Sequence, residues 1–100
     1  MTYALMGLWF DHLRRGEIER AYQCALEYRE SAAFWRGVMH ASCLGLLGRA
    51  EDARSDVAEV LHHKPDFVSR GRVLIGYQIK FPDVMGLVVD GLARAGLKLE

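Results

Sequence analysis

Asparagine is missing from this chain, and cysteine and proline occur only twice each. No run of apolar residues approaches the roughly 18 that a membrane-spanning helix requires. Residues 1–5 lack a charged head before an apolar stretch, which predicts no signal peptide. The motifs GxSxG, HExxH, GxxxxGK(S/T) and GxGxxG are all absent, which removes the commonest hydrolase, zinc-protease, phosphate-loop and dinucleotide signatures. Neither sign of charge prevails. The 13 Lys and Arg balance 13 Asp and Glu, so there is no general pull toward nucleic acid or anionic lipid. Cys24 and Cys43 have no CxxC spacing and no histidine cluster beside them. They are expected to be small apolar residues in reduced form, which fits a cytoplasmic setting.

What the chain does have is repetition. Gly16-Glu17-Ile18-Glu19-Arg20-Ala21 returns 32 residues later as Gly48-Arg49-Ala50-Glu51-Asp52-Ala53, with the glycine, the second acidic position and the alanine in register. Glu27 and Glu59 continue the match. A period of about 32–34 residues marks a repeat made of two helices. With 100 residues, 51% of them apolar, the chain can build one continuous core but not two.

Six helices are predicted. The first covers about residues 2–15, with Leu5, Leu8, Trp9 and Leu13 at three- and four-residue steps, and Gly16 stops it. The second covers about 17–29, with Ile18, Ala21, Ala25 and Tyr28 on one stripe. Ser31 is suited to cap the third, which runs to about 47 and ends at Gly48. The fourth covers about 50–63, its inner stripe being Ala53, Val57, Val60 and Leu61. Pro65 cannot continue its hydrogen-bond ladder, and Asp66 is a ready cap for a fifth helix over about 67–80. There Gly71 and Gly76 each cost about 1 kcal/mol relative to alanine, to be offset by packing of Phe67, Val73, Leu74, Tyr77 and Phe81. The sixth starts near Pro82 and ends at Ala95, with Gly96 and Leu97 forming a Schellman ending folded back on Leu92. Short links favour antiparallel neighbours, so the expectation is one all-α domain over 1–100, with hairpins at about 2–30, 32–64 and 66–96.

These residues resemble the tetratricopeptide (TPR) repeat family. Residues 34–66 carry the likeness best. Small Ala41 stands where two helices of a hairpin meet, Leu44 at a large apolar site, Gly48 at the turn, and Ala53 where the second helix crosses the first. Val57 and Val60 fill the inner stripe, and Pro65 closes the unit. The first unit agrees at Gly16, Ala21, Ala25 and Tyr28 but places bulky Trp9 where a small residue is usual, and it is two residues shorter. The third keeps only the hairpin outline, as a terminal cap would.

The resemblance implies a right-handed stack of three hairpins, a superhelix in which the first helix of each lines a concave groove. By position, that groove would show Tyr3, Met6, Phe10, Leu13 and Arg14, then Trp35, Val38, Ser42 and Leu46, then Ser69, Arg72 and Ile79. The implied function is a non-enzymatic protein-interaction module. It would hold a peptide or helix of a partner on apolar anchors, chiefly Tyr3, Met6, Phe10, Trp35, Val38 and Ser42, with Arg72 at the edge. No cofactor or metal is implied, and neither nucleic acid nor membrane is an expected partner. With only three hairpins, Trp9, Phe10 and Trp35 have a second outlet, packing against one another. The sixth helix carries more apolar width than one contact stripe needs, so a homodimer is an alternative way to cover it. Clamping of an acidic chaperone tail is not expected. That task uses Lys, Arg and Asn where this chain has Met6 and Phe10.

Residues 90–97 also resemble the phrase that closes TPR regions of bacterial class III adenylate cyclases, which gives the alternative of a regulatory or dimerising tail in a bacterium. Catalysis finds little support. His62 and His63 are adjacent and diverge by about 100° on a helix. His12 beside Asp11, and Glu51 beside Asp52, do not face each other either. His40 stands alone on its helix.

Overall fold

Three helices of this chain end the same way. At Gly48 (φ 75°), the glycine N–H donates to Gly45 O at 3.1 Å and the next N–H, of Arg49, to Leu44 O at 2.8 Å. That paired arrangement is the Schellman motif, and its positive φ costs a glycine nothing. Gly16 and Gly96 make the same pair of bonds, and Leu97 N–H reaches Leu92 O at 2.8 Å. The other three helices leave through residues with negative φ and positive ψ, at Tyr28, Lys64 and Ile79.

The computed structural model describes residues 2–29 and 32–100, with only the backbone described for residues 2–4. Among the described residues there are six α-helices and no strand: α1 (Thr2–Arg14), α2 (Ile18–Glu27), α3 (Ala33–Leu46), α4 (Arg54–His63), α5 (Phe67–Gln78) and α6 (Pro82–Arg94). A 3-10 turn, Ala50–Ala53, precedes α4, so the fourth helix begins later than its pattern suggests. The cap expected from Ser31 lies outside the described residues. Asp66 occupies the N-cap of α5, but its side chain makes no cap bond and lies 4.0 Å from Arg70 instead.

The predicted apolar stripes are largely buried, except that Leu8 on α1 is 47% exposed. Ala21 and Ala53, the matched alanines of the repeat, are both fully buried. α1 lies against α2, and α3 against α4 and α2. α3 is buried on nearly every side, from Trp35 through Gly45, as expected of a helix that is apolar all round.

The third pair is different. α6 lies principally along α3 and reaches α1, while its contact with α5 is slight. Two features of the chain produce this. The link between α5 and α6 is extended at Ile79 (φ −118°, ψ 114°) and Phe81 (φ −103°, ψ 116°), which carries α6 away from α5. Then Gly45 and Gly91 let α3 and α6 approach backbone to backbone. A methyl group on Gly45 would stand 1.9 Å from Gly91 O, and one on Gly91 would stand 2.2 Å from Ser42 O. Arg14 at the end of α1 grips Asp83 at the start of α6, Nε to Oδ2 at 2.8 Å and Nη2 to Oδ1 at 3.3 Å. The apolar width of α6 is therefore largely covered within the chain.

α5 is held mainly from its inner side. Phe67, Gly71 and Ile75 are buried there, and Leu99 lies over Gly71. A methyl group on Gly71 would stand 2.8 Å from Leu99 Cδ2. Glu100 N–H donates to Val68 O at 3.0 Å, so the last described residues run beside the helix. This supplies the packing that offsets the glycine in α5.

Candidate interaction surface

The groove implied by the TPR resemblance is filled by the chain's own helices. Trp35 is 2% exposed and meets Trp9 edge-on at 6.2 Å between ring centroids. Val38 is fully buried. Ser42 is buried too. Its Oγ–H donates to Met39 O at 3.1 Å, and its carbonyl lies against Gly91 of α6. These three cannot anchor a partner, because α1 and α6 already cover them. Phe10 and Met6 are half-buried against the same core. Phe10 meets Trp9 at a tilt, 5.7 Å between ring centroids, and Phe81 edge-on at 5.9 Å. The side chain of Tyr3 lies outside the described residues. Arg72 is exposed on α5, and its Nε–H donates to Glu100 O at 2.9 Å.

The polar chemistry inside the core is inert. Trp9 Nε1–H donates to Cys43 Sγ at 3.2 Å. Burial pushes the Cys43 thiol up to about 12, and Cys24 is also raised by burial, so both remain thiols at neutral pH. Both are free and buried. Among the described residues, Trp35 Nε1 has no hydrogen-bond partner.

His40 does more than its isolated place in the sequence suggests. Its Nδ1 lies 3.3 Å from Asp56 Oδ1 on α4, and its Nε2 lies 3.1 Å from Ala25 O on α2. Tyr22 meets the ring edge-on at 6.1 Å. The hydrogen bond to Asp56 raises the His40 pKa. A catalytic His–Asp dyad needs the far nitrogen free to take a proton from a nucleophile. Here that nitrogen is engaged by a backbone carbonyl, so His40 is a three-helix tie. It lines one side of an open cleft of about 370 Å³ together with Leu26, Tyr28, Arg29 and Arg36. His12 pairs in a similar way across the Gly16 turn, its Nδ1 2.8 Å from Glu17 Oε1, and this bond holds the Glu17 carboxyl below its ordinary range. Among the described residues no three His, Cys, Asp or Glu side chains gather as metal ligands. Nor is any described helix long and apolar enough to cross a membrane.

Leu8 on α1 is 47% exposed and Leu26 on α2 40%, but the two most exposed large apolar side chains among the described residues, Val73 and Tyr77, lie on α5. Val73 is 52% exposed, Tyr77 66% and Phe81 46%. Sequence reasoning assigned all three to packing, and the structure corrects this. The signal was present in the spacing. Phe67, Gly71 and Ile75 form the inner stripe of α5, and positions 73 and 77 fall two residues beyond 71 and 75, about 200° around the helix. Val73 and Tyr77 thus share the outer row, one turn apart. Phe81 is partly occupied, with the Arg14 guanidinium 4.5 Å from its ring centroid. No protein-family model matches this chain, and no curated protein or solved structure matches it either.

Proposed function

We propose that this chain is a non-enzymatic protein-interaction module, a helical scaffold that presents the outer row of α5 to a partner polypeptide. The observation that carries the reading is the pair Val73 and Tyr77. Both are large, apolar and more than half exposed, on the helix that has the fewest neighbours in the fold. Tyrosine is favoured at protein interfaces because a rigid ring gives contact area at low entropic cost. The TPR-like features of residues 34–66 support a scaffold role, with the binding face on α5 in place of the filled groove. Two buried, reduced cysteines fit the bacterial cytoplasm as the setting.

The test is photocrosslinking from the full chain. A photoreactive phenylalanine replaces Tyr77 in one variant and Glu59, exposed on α4, in another. The expected result is a discrete adduct from position 77 that position 59 does not give. Equal adducts from both positions, or none, refute the reading. An adduct of twice the chain mass would assign the face to a second copy and favour a dimerising role.

A further inference from the structure

We infer that the partner of the α5 face is an acidic amphipathic helix, an inference that rests on the reading of that face as a contact surface. Between Phe67 and Phe81 the chain carries Arg70, Arg72 and Lys80 and no Asp or Glu. Because the whole chain is neutral, its acidic excess lies outside this segment. All three cations are exposed. Lys80 Nζ donates to Gly76 O at 2.8 Å and Arg72 Nε to Glu100 O at 2.9 Å. Gly76 O is a neutral carbonyl, so that bond leaves the Lys80 charge uncancelled, whereas Arg72 lies beside acidic Glu100. Arg70 has an acidic neighbour, Asp66, at the long distance of 4.0 Å. Asp83, just beyond the helix, is held by Arg14.

The placement matters as much as the count. Arg70 lies about 60° from Val73 and about 20° from Tyr77 around the helix, hence on their row. Lys80 follows the C-terminal end. The two apolar side chains are therefore bracketed by cations. Glu100 sits at the Val68 edge, about 140° or more from that row. A helix with leucines on one face and glutamates beside them matches this arrangement in both shape and sign.

A second copy fits less well, because a two-fold contact of α5 with α5 would oppose like charges. A membrane surface fits less well too. The exposed apolar row spans one turn, whereas an interfacial helix buries an apolar face over several.

The experiment follows backbone amide shifts of the full, isotope-labelled chain. Three probes are added separately: a synthetic Leu/Glu amphipathic helix, its Leu/Lys counterpart, and vesicles of equal phosphatidylcholine and phosphatidylserine. The expected result is movement of the Val73 and Tyr77 amides with the Leu/Glu peptide, bound about tenfold tighter than Leu/Lys. That preference should shrink as salt rises from about 50 to about 500 mM. The double variant Arg70→Gln/Lys80→Gln should lower affinity for Leu/Glu about three- to tenfold and leave Leu/Lys unchanged or tighter. Equal binding of both peptides overturns the charge selection but leaves the contact face standing. Vesicles that move these amides when neither peptide does would overturn it in favour of a membrane surface. If no probe moves them while Tyr77 still crosslinks, an acidic helix is the wrong partner. If crosslinking fails as well, the contact-face reading itself has failed.

Discussion

At the crossing of α3 and α6, Gly45 and Gly91 meet with no room for a methyl group, while on α5 a methyl group at Gly76 would touch nothing within 4 Å. The same residue type does opposite work in the two regions. In the first it allows two backbones to touch, which brings Ser42, Val88 and Leu92 into complete burial. In the second it is an exposed-side vacancy in a helix secured by one buried edge. The difference separates a region where the fold tolerates no change from one where the surface is free to be used.

The sharpest way to break this comparison is to add the missing methyl groups. Gly91→Ala or Gly45→Ala should cost more than about 3 kcal/mol or abolish folding, because the clash is with backbone and no rotamer relieves it. Urea denaturation followed by circular dichroism measures this, and a loss below about 1 kcal/mol would mean that the helices do not cross here. Next in size is the anchor of α5. Leu99→Ala should cost about 2 kcal/mol, since Leu99 is buried over Gly71. Hydrogen exchange should quicken in α5 and stay slow in α3; uniform quickening would show that α5 is part of the central cooperative unit.

A smaller effect tests the tie among α2, α3 and α4. The folded pKa of His40 is raised above its ordinary 6.5, chiefly by Asp56, with Ala25 O adding to the shift and burial and Arg36 opposing it. A raised folded value means that protonation favours the native state. Its contribution is complete below pH 6.5 and fades as pH climbs through the higher folded value. His40→Gln should therefore cost about 1 kcal/mol near pH 6 and less near pH 9. Glu17 does not interfere, because its lowered pKa matters only in acid, where stability is lost as pH falls through the folded value. A cost that is the same at both pH values would detach His40 from Asp56.

The smallest expected change has the opposite sign. Gly76→Ala should stabilise by about 0.5–1 kcal/mol, because alanine loses less backbone entropy in a helix and meets no neighbour here. A loss of stability instead would place something over that side of α5.

How legible the molecule was differs between these regions. Helix number and ends were written locally. Gly16, Gly48 and Gly96 stop helices because a left-handed backbone is cheap only for glycine, and Pro65 and Pro82 punctuate because they lack an N–H. The burial of Ala21 and Ala53 followed from their place on apolar stripes. The inner stripe of α5 could also have been read, had Gly71 been taken as a contact point for Leu99 instead of a weak helix position. What no stripe revealed was the neighbour of α6. Its pattern showed an apolar surface in need of cover, and any long apolar groove or second chain would have satisfied that. Only the three-dimensional arrangement chose α3, because the choice depends on Gly45 and Gly91, distant in sequence, arriving at one crossing point where both side chains are missing. That choice filled the expected groove and left Val73 and Tyr77 facing water. Helix formation is decided by neighbours a turn apart, whereas helix docking is decided by shape, and shape exists only once the helices have met.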